Sequence, residues 1–136
     1  MRMRKFLFLI SVLSLPLASF AEDKPAKVFI IEPVNGATVP KTFTVKFGAT
    51  GVDIVPAGTN KPKSGHHHLL IDTDKLPDMH SPLPATPNLI HFGNAQTETQ
   101  VTLTPGKHTL QILLGDYMHV PGHAPLISEK ITVNVQ

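Results

Sequence analysis

Short runs of apolar and β-branched residues, separated by Pro and Gly, follow one another along most of the chain. In Thr42–Gly48, Phe43, Val45 and Phe47 point to one face and polar residues to the other, the period-two pattern of a half-buried strand. No window after residue 21 keeps the apolar stripe of an amphipathic helix without an interrupting Pro or Gly. The pattern predicts seven strands, at Lys27–Glu32, Thr42–Gly48, Val52–Val55, His66–Asp72, Glu98–Leu103, His108–Leu114 and Ile127–Val135.

Seven short strands with turn residues between them predict an all-β fold, an immunoglobulin-like antiparallel β-sandwich, with a small antiparallel barrel as the alternative. The segment Thr104–Lys107 has Pro and Gly at its centre, which is typical of a type II turn. Such a turn splays the flanking strands and suits a crossing between two sheets. Lys75–Asn88 contains four prolines and is predicted to be a long loop.

The first 21 residues have the build of a secretory signal peptide. Arg2, Arg4 and Lys5 precede an apolar stretch, and small residues lead to a predicted cut after Ala21. The apolar stretch is shorter than the roughly 20 residues that a membrane-spanning helix needs. The sequence therefore predicts a single exported domain, residues 22–136, that is periplasmic or secreted and leaves the membrane after signal cleavage.

The charge balance argues against two classes of binding partner, and the absence of Cys excludes disulfides. Three of the 12 basic residues lie in the signal segment, which leaves nine against 10 acidic residues. This balance argues against binding to nucleic acid or to an anionic membrane surface, because both require a basic face. The chain has no Cys, so an exported domain must be held together by burial without disulfides.

All 8 histidines lie after the signal segment, and they include the run Gly65-His66-His67-His68. On a strand, His66 and His68 share one face and are about 6.6 Å apart. Two imidazoles at that spacing can bind one metal ion. His67 then points to the opposite face, where a histidine at the rim of the core, with one hydrogen bond, is the simpler interpretation.

A second cluster follows the most apolar strand and contains Asp116, Met118, His119 and His123. In an immunoglobulin-like sheet the third strand pairs antiparallel with the sixth, so the start of the His66 strand lies beside the end of the His108–Leu114 strand. The four imidazoles of His66, His68, His119 and His123 would then gather at one end of the domain. The alternative is a set of separate surface histidines.

These residues predict a metal site formed by His66, His68 and His119 and completed by His123 or Met118. Asp116 is a candidate to orient a ligating imidazole, or else a turn residue. Copper is favoured over zinc, since the thioether of Met118 is a soft donor. His91 and His108 are interpreted as structural, and Met79-His80 is expected nearer the opposite end of the domain unless the Pro-rich loop folds back.

The motifs of the common hydrolases, metalloproteases and phosphate-binding enzymes are missing from the sequence, which disfavours an enzyme. The predicted function is storage, delivery or buffering of a transition metal, with another periplasmic protein as a candidate partner. A structural or protein-interaction module of the cell envelope is one alternative. A small copper or zinc metalloenzyme with an open coordination position is another.

The segments SGHHHLLID, at Ser64–Asp72, and TETQVTLTPGKHTLQILLGD, at Thr97–Asp116, together with the following His-Pro loop, resemble an uncharacterised family of small exported bacterial domains. The resemblance extends from about Val52 to the C-terminus. It implies a periplasmic β-domain and brings no activity or cofactor. In that family a His directly follows the Pro of the last loop. Here Gly122 takes that place, which favours His119 over His123 as a ligand.

Overall fold

The computed structural model describes residues 14–19 and 23–136. These residues form no helix, and their nine strands are β1 (Lys27–Glu32), β2 (Thr38–Val39), β3 (Thr42–Thr50), β4 (Asp53–Ile54), β5 (Ser64–Ile71), β6 (Leu89–His91), β7 (Glu98–Thr102), β8 (Gly106–Gly115) and β9 (Ile131–Val135). Each of the seven predicted strands has a counterpart, and β2 and β6 are additional. The last strand begins at Ile131, four residues later than predicted.

The strands form two sheets, ordered β1-β3-β7 and β2-β9-β8-β5-β4, with β6 also paired to β5. All pairs are antiparallel except the short pairs β2–β9 and β4–β5. In order and pairing, β1, β3 and β7 correspond to strands A, B and E of an immunoglobulin sandwich, and β5, β8 and β9 to strands C, F and G. The predicted all-β sandwich is therefore confirmed, and the chain crosses between the sheets after β7, where the Pro-Gly turn lies.

The main core lies between the two sheets and is aliphatic with a few Phe rings. Phe43, Val45 and Phe47 of β3 are buried on one face, as their alternation predicts. They pack against the inner face of the larger sheet, contributed mainly by Leu69, Ile71, Leu110, Ile112, Leu114 and Val133. Burial of this apolar surface is the main force that stabilises the sandwich.

A second apolar cluster covers the outer face of the larger sheet. Leu70 and Leu113, on β5 and β8, pack there against Leu83 from the Pro-rich segment. The segment between β5 and β6 is the long loop predicted, and it folds back over the sheet. Strand β5 is consequently buried on both faces, and seven of its eight residues are buried.

The register of β5 against β8 sets the position of the two histidine clusters. The strands pair antiparallel, with His66 opposite Gly115. The loop that leaves β8 at Asp116 therefore begins beside the first residues of β5. This is the spatial arrangement that the sequence predicts.

His108 lies at the opposite end of the same pair of strands, where it joins the turn after β7 to the end of β5. Its Nδ1 is 2.6 Å from Asp72 Oδ2 and its Nε2 is 2.8 Å from the carbonyl oxygen of Thr104. Both partners accept, so the full set of hydrogen bonds requires both ring nitrogens to carry a proton. The hydrogen bond to Asp72 raises the pKa of His108 accordingly.

We expect His108→Gln to destabilise the protein more at pH 6 than at pH 9. Since the pKa of His108 is raised in the folded state, the stability it contributes is fully present below the unfolded-state pKa of about 6.5. That contribution is lost as the pH rises through the folded-state pKa. Urea unfolding of both proteins should give a difference of about 1 kcal/mol at pH 6 that shrinks at pH 9. An equal difference at both pH values would contradict this.

Candidate metal centre

Four histidines from three parts of the chain meet at one end of the sandwich: His66 and His68 of β5, His91 of β6 and His119 of the loop after β8. Each offers a ring nitrogen, and these four nitrogens lie within 4.8 Å of one another. We call these residues the four-histidine group.

Strand geometry places three of the four rings. Side chains alternate along a strand, so His66 and His68 project from the same, outer face of β5. Their ring centroids are 4.7 Å apart. Strand β6 pairs with β5 so that His91 lies opposite His68, and the centroids of these two rings are 5.2 Å apart. His119 then closes the group, with its centroid 4.9 Å from that of His66 and 4.5 Å from that of His91.

The group is buried on one side and open on the other. His66 and His68 are fully buried, His119 is half-buried and His91 is exposed. His66 Nε2 and His119 Nδ1 are 2.9 Å apart and share a hydrogen bond. Among the described residues, His66 Nδ1 and both ring nitrogens of His68 have no hydrogen-bond partner. A buried polar atom without a hydrogen-bond partner lowers the free energy of unfolding by about 1–3 kcal/mol. A ligand that binds these nitrogens would therefore stabilise the folded protein.

Burial keeps these imidazoles neutral. It lowers the pKa of His66 to about 4, with further lowering by the neighbouring His91 and His119 rings and opposition from Asp116. It lowers the pKa of His68 to about 3, with help from the other three rings and opposition from the backbone of Leu113. At neutral pH both rings are therefore uncharged and each has one nitrogen lone pair, which is the form that binds a metal ion.

The spacing of the four nitrogens is close to what one ion requires. Bonds from imidazole nitrogen to zinc are about 2.0–2.1 Å long, and zinc is usually tetrahedral, so two nitrogens on one zinc ion are about 3.4 Å apart. Since all four lie within 4.8 Å, the widest pair has to approach by up to about 1.4 Å. Rotations of the side chains can bring the rings closer, so the group could hold a metal ion.

Asp116 shapes the loop that presents His119. Its Oδ1 accepts hydrogen bonds from the backbone N–H groups of Met118, at 2.8 Å, and Val120, at 2.9 Å. The N–H of His119 donates to the carbonyl oxygen of Asp116 at 2.9 Å. This turn holds His119 at a φ of 65°, in the left-handed region, which His adopts more readily than most residues. The sequence suggested that Asp116 either orients a ligating imidazole or forms the turn. Its hydrogen bonds are those of a turn residue.

We expect Asp116→Ala to weaken metal binding about 10- to 100-fold, because His119 loses the turn that positions it. Asp116→Asn is the matched control, since its amide oxygen can still accept the two backbone hydrogen bonds. Titration calorimetry with Zn²⁺ or Cu²⁺ would compare the three proteins. Equal weakening by both substitutions would mean that the carboxylate charge matters and the turn does not.

Gly115 allows the close approach of the rings to the sheet. A Cβ at this position would lie 2.7 Å from Cε1 of His68 and 3.1 Å from the Cα of His119. A side chain here would therefore displace both ligand candidates. Only glycine leaves room for the ring of His68 and the backbone of His119 over the end of β8.

The remaining candidates lie elsewhere. His123 is not among the four: its ring faces His80 in the Pro-rich loop, with centroids 4.8 Å apart. His80 is thus at the same end as the four-histidine group and not at the opposite one, because the Pro-rich loop folds back. The side chain of Met118 is 53% exposed.

His91 belongs to the group although the sequence suggested a structural role. A signal for it exists in the run Leu89-Ile90-His91-Phe92. Ile90 and Phe92 pack on the main core and Leu89 on the outer cluster, so alternation directs His91 outward. The local pattern does not predict that this three-residue strand pairs with β5.

His67 points to the opposite face of β5, into the main core, as alternation predicts. Its ring packs edge-on against Phe47, with centroids 4.9 Å apart. The predicted hydrogen bond is wrong: His67 is fully buried, and neither ring nitrogen has a partner among the described residues. Burial lowers its pKa to about 4.

The predicted signal segment lies mostly outside the described residues, which include only residues 14–19 of it. The cut after Ala21 therefore stays a prediction. Within the described part of the chain, no helix is both long enough and apolar enough to span a membrane.

Comparison with known proteins gives one family. A family model described as a domain of unknown function (DUF4399) matches residues 45–136, which include all four histidines of the group. Neither the curated proteins nor the solved structures include a significant match.

Proposed function

Since the chain belongs to the DUF4399 family, a domain of unknown function, its role has to be inferred from the chemistry of its site, and we propose that it binds a transition-metal ion. The ligands are His66, His68, His91 and His119. The role proposed is storage, delivery or buffering of the metal in the periplasm.

The observation that carries this proposal is the convergence of four ring nitrogens within 4.8 Å of one another, two of them on the buried rings of His66 and His68. Unpaired buried polar atoms are destabilising, and His66 and His68 each have at least one such nitrogen. A metal ion bound at the group would take the lone pair of one nitrogen in each neutral ring. The two exposed or half-buried members, His91 and His119, complete the donor set from the solvent side.

Copper is the metal that we propose, with zinc as the alternative. Four imidazoles without a thiolate suit divalent copper and zinc alike, and at a given nitrogen site Cu²⁺ binds more tightly than Zn²⁺. The sequence favoured copper through the thioether of Met118. That reason is weakened because Met118 is largely exposed, so the preference now rests on the imidazole donors.

Storage or delivery requires that the ion can be released to another protein. The exposed ring of His91 provides a point at which an incoming ligand can reach the ion without opening the core. His66 and His68, held in the buried strand β5, would keep the site formed during exchange. This arrangement fits a carrier that exchanges its ion with a periplasmic partner.

Elemental analysis of the protein purified from the periplasm tests the proposal, followed by titration with Cu²⁺ and Zn²⁺. The variant His66→Ala/His68→Ala should lose high-affinity binding, whereas His67→Phe, altered on the other face of the same strand, should keep it. Equal metal uptake by wild type and the double variant would overturn the assignment of these ligands.

A metalloenzyme is the second candidate, and one observation favours it. A cleft of about 330 Å³ reaches Gly115 and Asp116, which border the group, and apolar side chains such as Val52, Leu114 and Leu126, although none of the four histidines lines it. This volume is at the lower end of the range for small-molecule sites. Screening the copper-loaded protein for turnover of small oxygen species would distinguish this role from that of a carrier.

A further inference from the structure

Two more histidines face each other outside the four-histidine group. His80, in the Pro-rich loop, and His123, in the loop after β8, are 43 positions apart, yet their ring centroids are 4.8 Å apart with the planes tilted by 57°. Both residues are exposed. Apolar packing does not account for a contact between two exposed imidazoles.

Backbone hydrogen bonds tie together the two loops that carry these rings. The N–H of Gly122 donates to the carbonyl oxygen of Met79 at 2.7 Å, directly beside both histidines. The N–H of Leu83 donates to the carbonyl oxygen of His119 at 2.9 Å. The two loops therefore form one surface, and the contact between His80 and His123 is built into it.

The Pro-rich loop is also braced from within at this point. Asp78 accepts hydrogen bonds from the backbone N–H of His80, at 2.9 Å, and from the hydroxyl of Ser81, at 2.6 Å. These hydrogen bonds lower the pKa of Asp78. They hold the backbone that carries His80, so the ring of His80 is presented to that of His123, and two imidazoles are donors of the kind that bind divalent transition metals.

We propose that His80 and His123 form a second metal site, exposed at the surface and weaker than the four-histidine group. The two imidazoles are its protein ligands, and water fills the other positions around a divalent ion such as Cu²⁺ or Zn²⁺. Fewer protein ligands and full solvent access make binding weaker and exchange faster. Binding at this pair does not require the four-histidine group to hold an ion.

Titration calorimetry with Cu²⁺, and separately with Zn²⁺, tests this on the signal-cleaved protein and two variants. His80→Phe/His123→Phe keeps two rings in contact but removes the ring nitrogens, so it separates metal binding from ring packing. His66→Ala/His68→Ala removes the buried ligands. We expect about two ions on wild type and about one on each variant.

The outcomes separate the two sites. Loss of the weaker ion in His80→Phe/His123→Phe supports the surface pair. If His66→Ala/His68→Ala binds as many ions as wild type does, that result contradicts the buried site and leaves the surface pair supported. Unchanged stoichiometry in His80→Phe/His123→Phe overturns the surface pair.

A second measurement does not depend on the folding of either variant. In wild-type protein, paramagnetic Ni²⁺ added beyond the first equivalent should broaden the ring NMR signals of His80 and His123. Signals that stay sharp would also overturn the proposal.

Discussion

The metal-free protein is expected to lose about 5 kcal/mol of unfolding free energy between pH 7 and pH 5. The folded-state pKa values of His66, His67 and His68 are lowered to about 4, 4 and 3. In the unfolded chain the pKa of a histidine is about 6.5. As the pH falls below that value, the unfolded state takes up protons that the folded state does not, so stability is present above pH 6.5 and is lost towards pH 4.

The size of the effect follows from the number of groups. Each histidine contributes a slope of up to about 1.4 kcal/mol per pH unit, so three give about 4 kcal/mol per unit below pH 6. The lowered pKa of His91 acts in the same direction, whereas the raised pKa of His108 opposes it. Small domains are stable by only about 5–15 kcal/mol, so the metal-free protein should approach unfolding near pH 5.

Urea unfolding in the presence of a chelator, at several pH values from 7 to 5, measures this slope. The control is His67→Phe, which keeps a ring against Phe47 and removes one of the three buried imidazoles. Its slope should be lower by about 1.4 kcal/mol per pH unit, whatever the substitution does to the absolute stability. An unfolding free energy that does not change over this range would show that the three rings are not buried in neutral form.

Saturating metal is expected to stabilise the folded protein by about 4 kcal/mol when the free ion is about 1,000-fold above its dissociation constant. One ion can contact all four histidines only when the fold brings them together, because they are spread over residues 66–119 of the chain. For a domain of this size the melting temperature should rise by roughly 10–20 °C. A bound ion would also occupy ring nitrogens that could otherwise take up protons. The metal-bound protein should therefore stay folded at a lower pH than the metal-free protein.

Thermal unfolding with and without Cu²⁺ or Zn²⁺ measures this gain. His66→Ala/His68→Ala should melt at the same temperature with and without the ion, whereas His67→Phe should keep the full increase, since its ring faces the core. A rise in melting temperature that survives the double substitution would place the stabilising ion somewhere other than the four-histidine group.

Much of the fold could be predicted from local patterns. The alternation in β3 depends only on the period of a strand, and so does the placement of His66 and His68 on one face. The pairing of β5 with β8 followed from the strand order of an immunoglobulin-like sandwich, and it placed His119 correctly beside His66. These inferences needed neighbouring residues and one topological rule.

The membership of the site was harder to predict. His91 joins it because a three-residue strand pairs with the outer edge of β5, and so short a strand has almost no pattern of its own. His123 lies apart because its loop is hydrogen-bonded to Met79 of the Pro-rich segment and turns its ring towards His80. Both outcomes depend on contacts between residues distant in the sequence.

Sequence alone determined the sandwich, the faces of β5 and the end of the domain at which its histidines gather, because strand periodicity and strand order are properties of the chain read residue by residue. Only the tertiary structure decided which imidazoles share a site, that the Pro-rich segment packs over the outer face of the sheet, and that buried nitrogens of His66 and His68 are left unpaired. The physical reason is that burial and hydrogen bonding are settled by the surroundings of a side chain, and here those surroundings come from loops far away along the sequence.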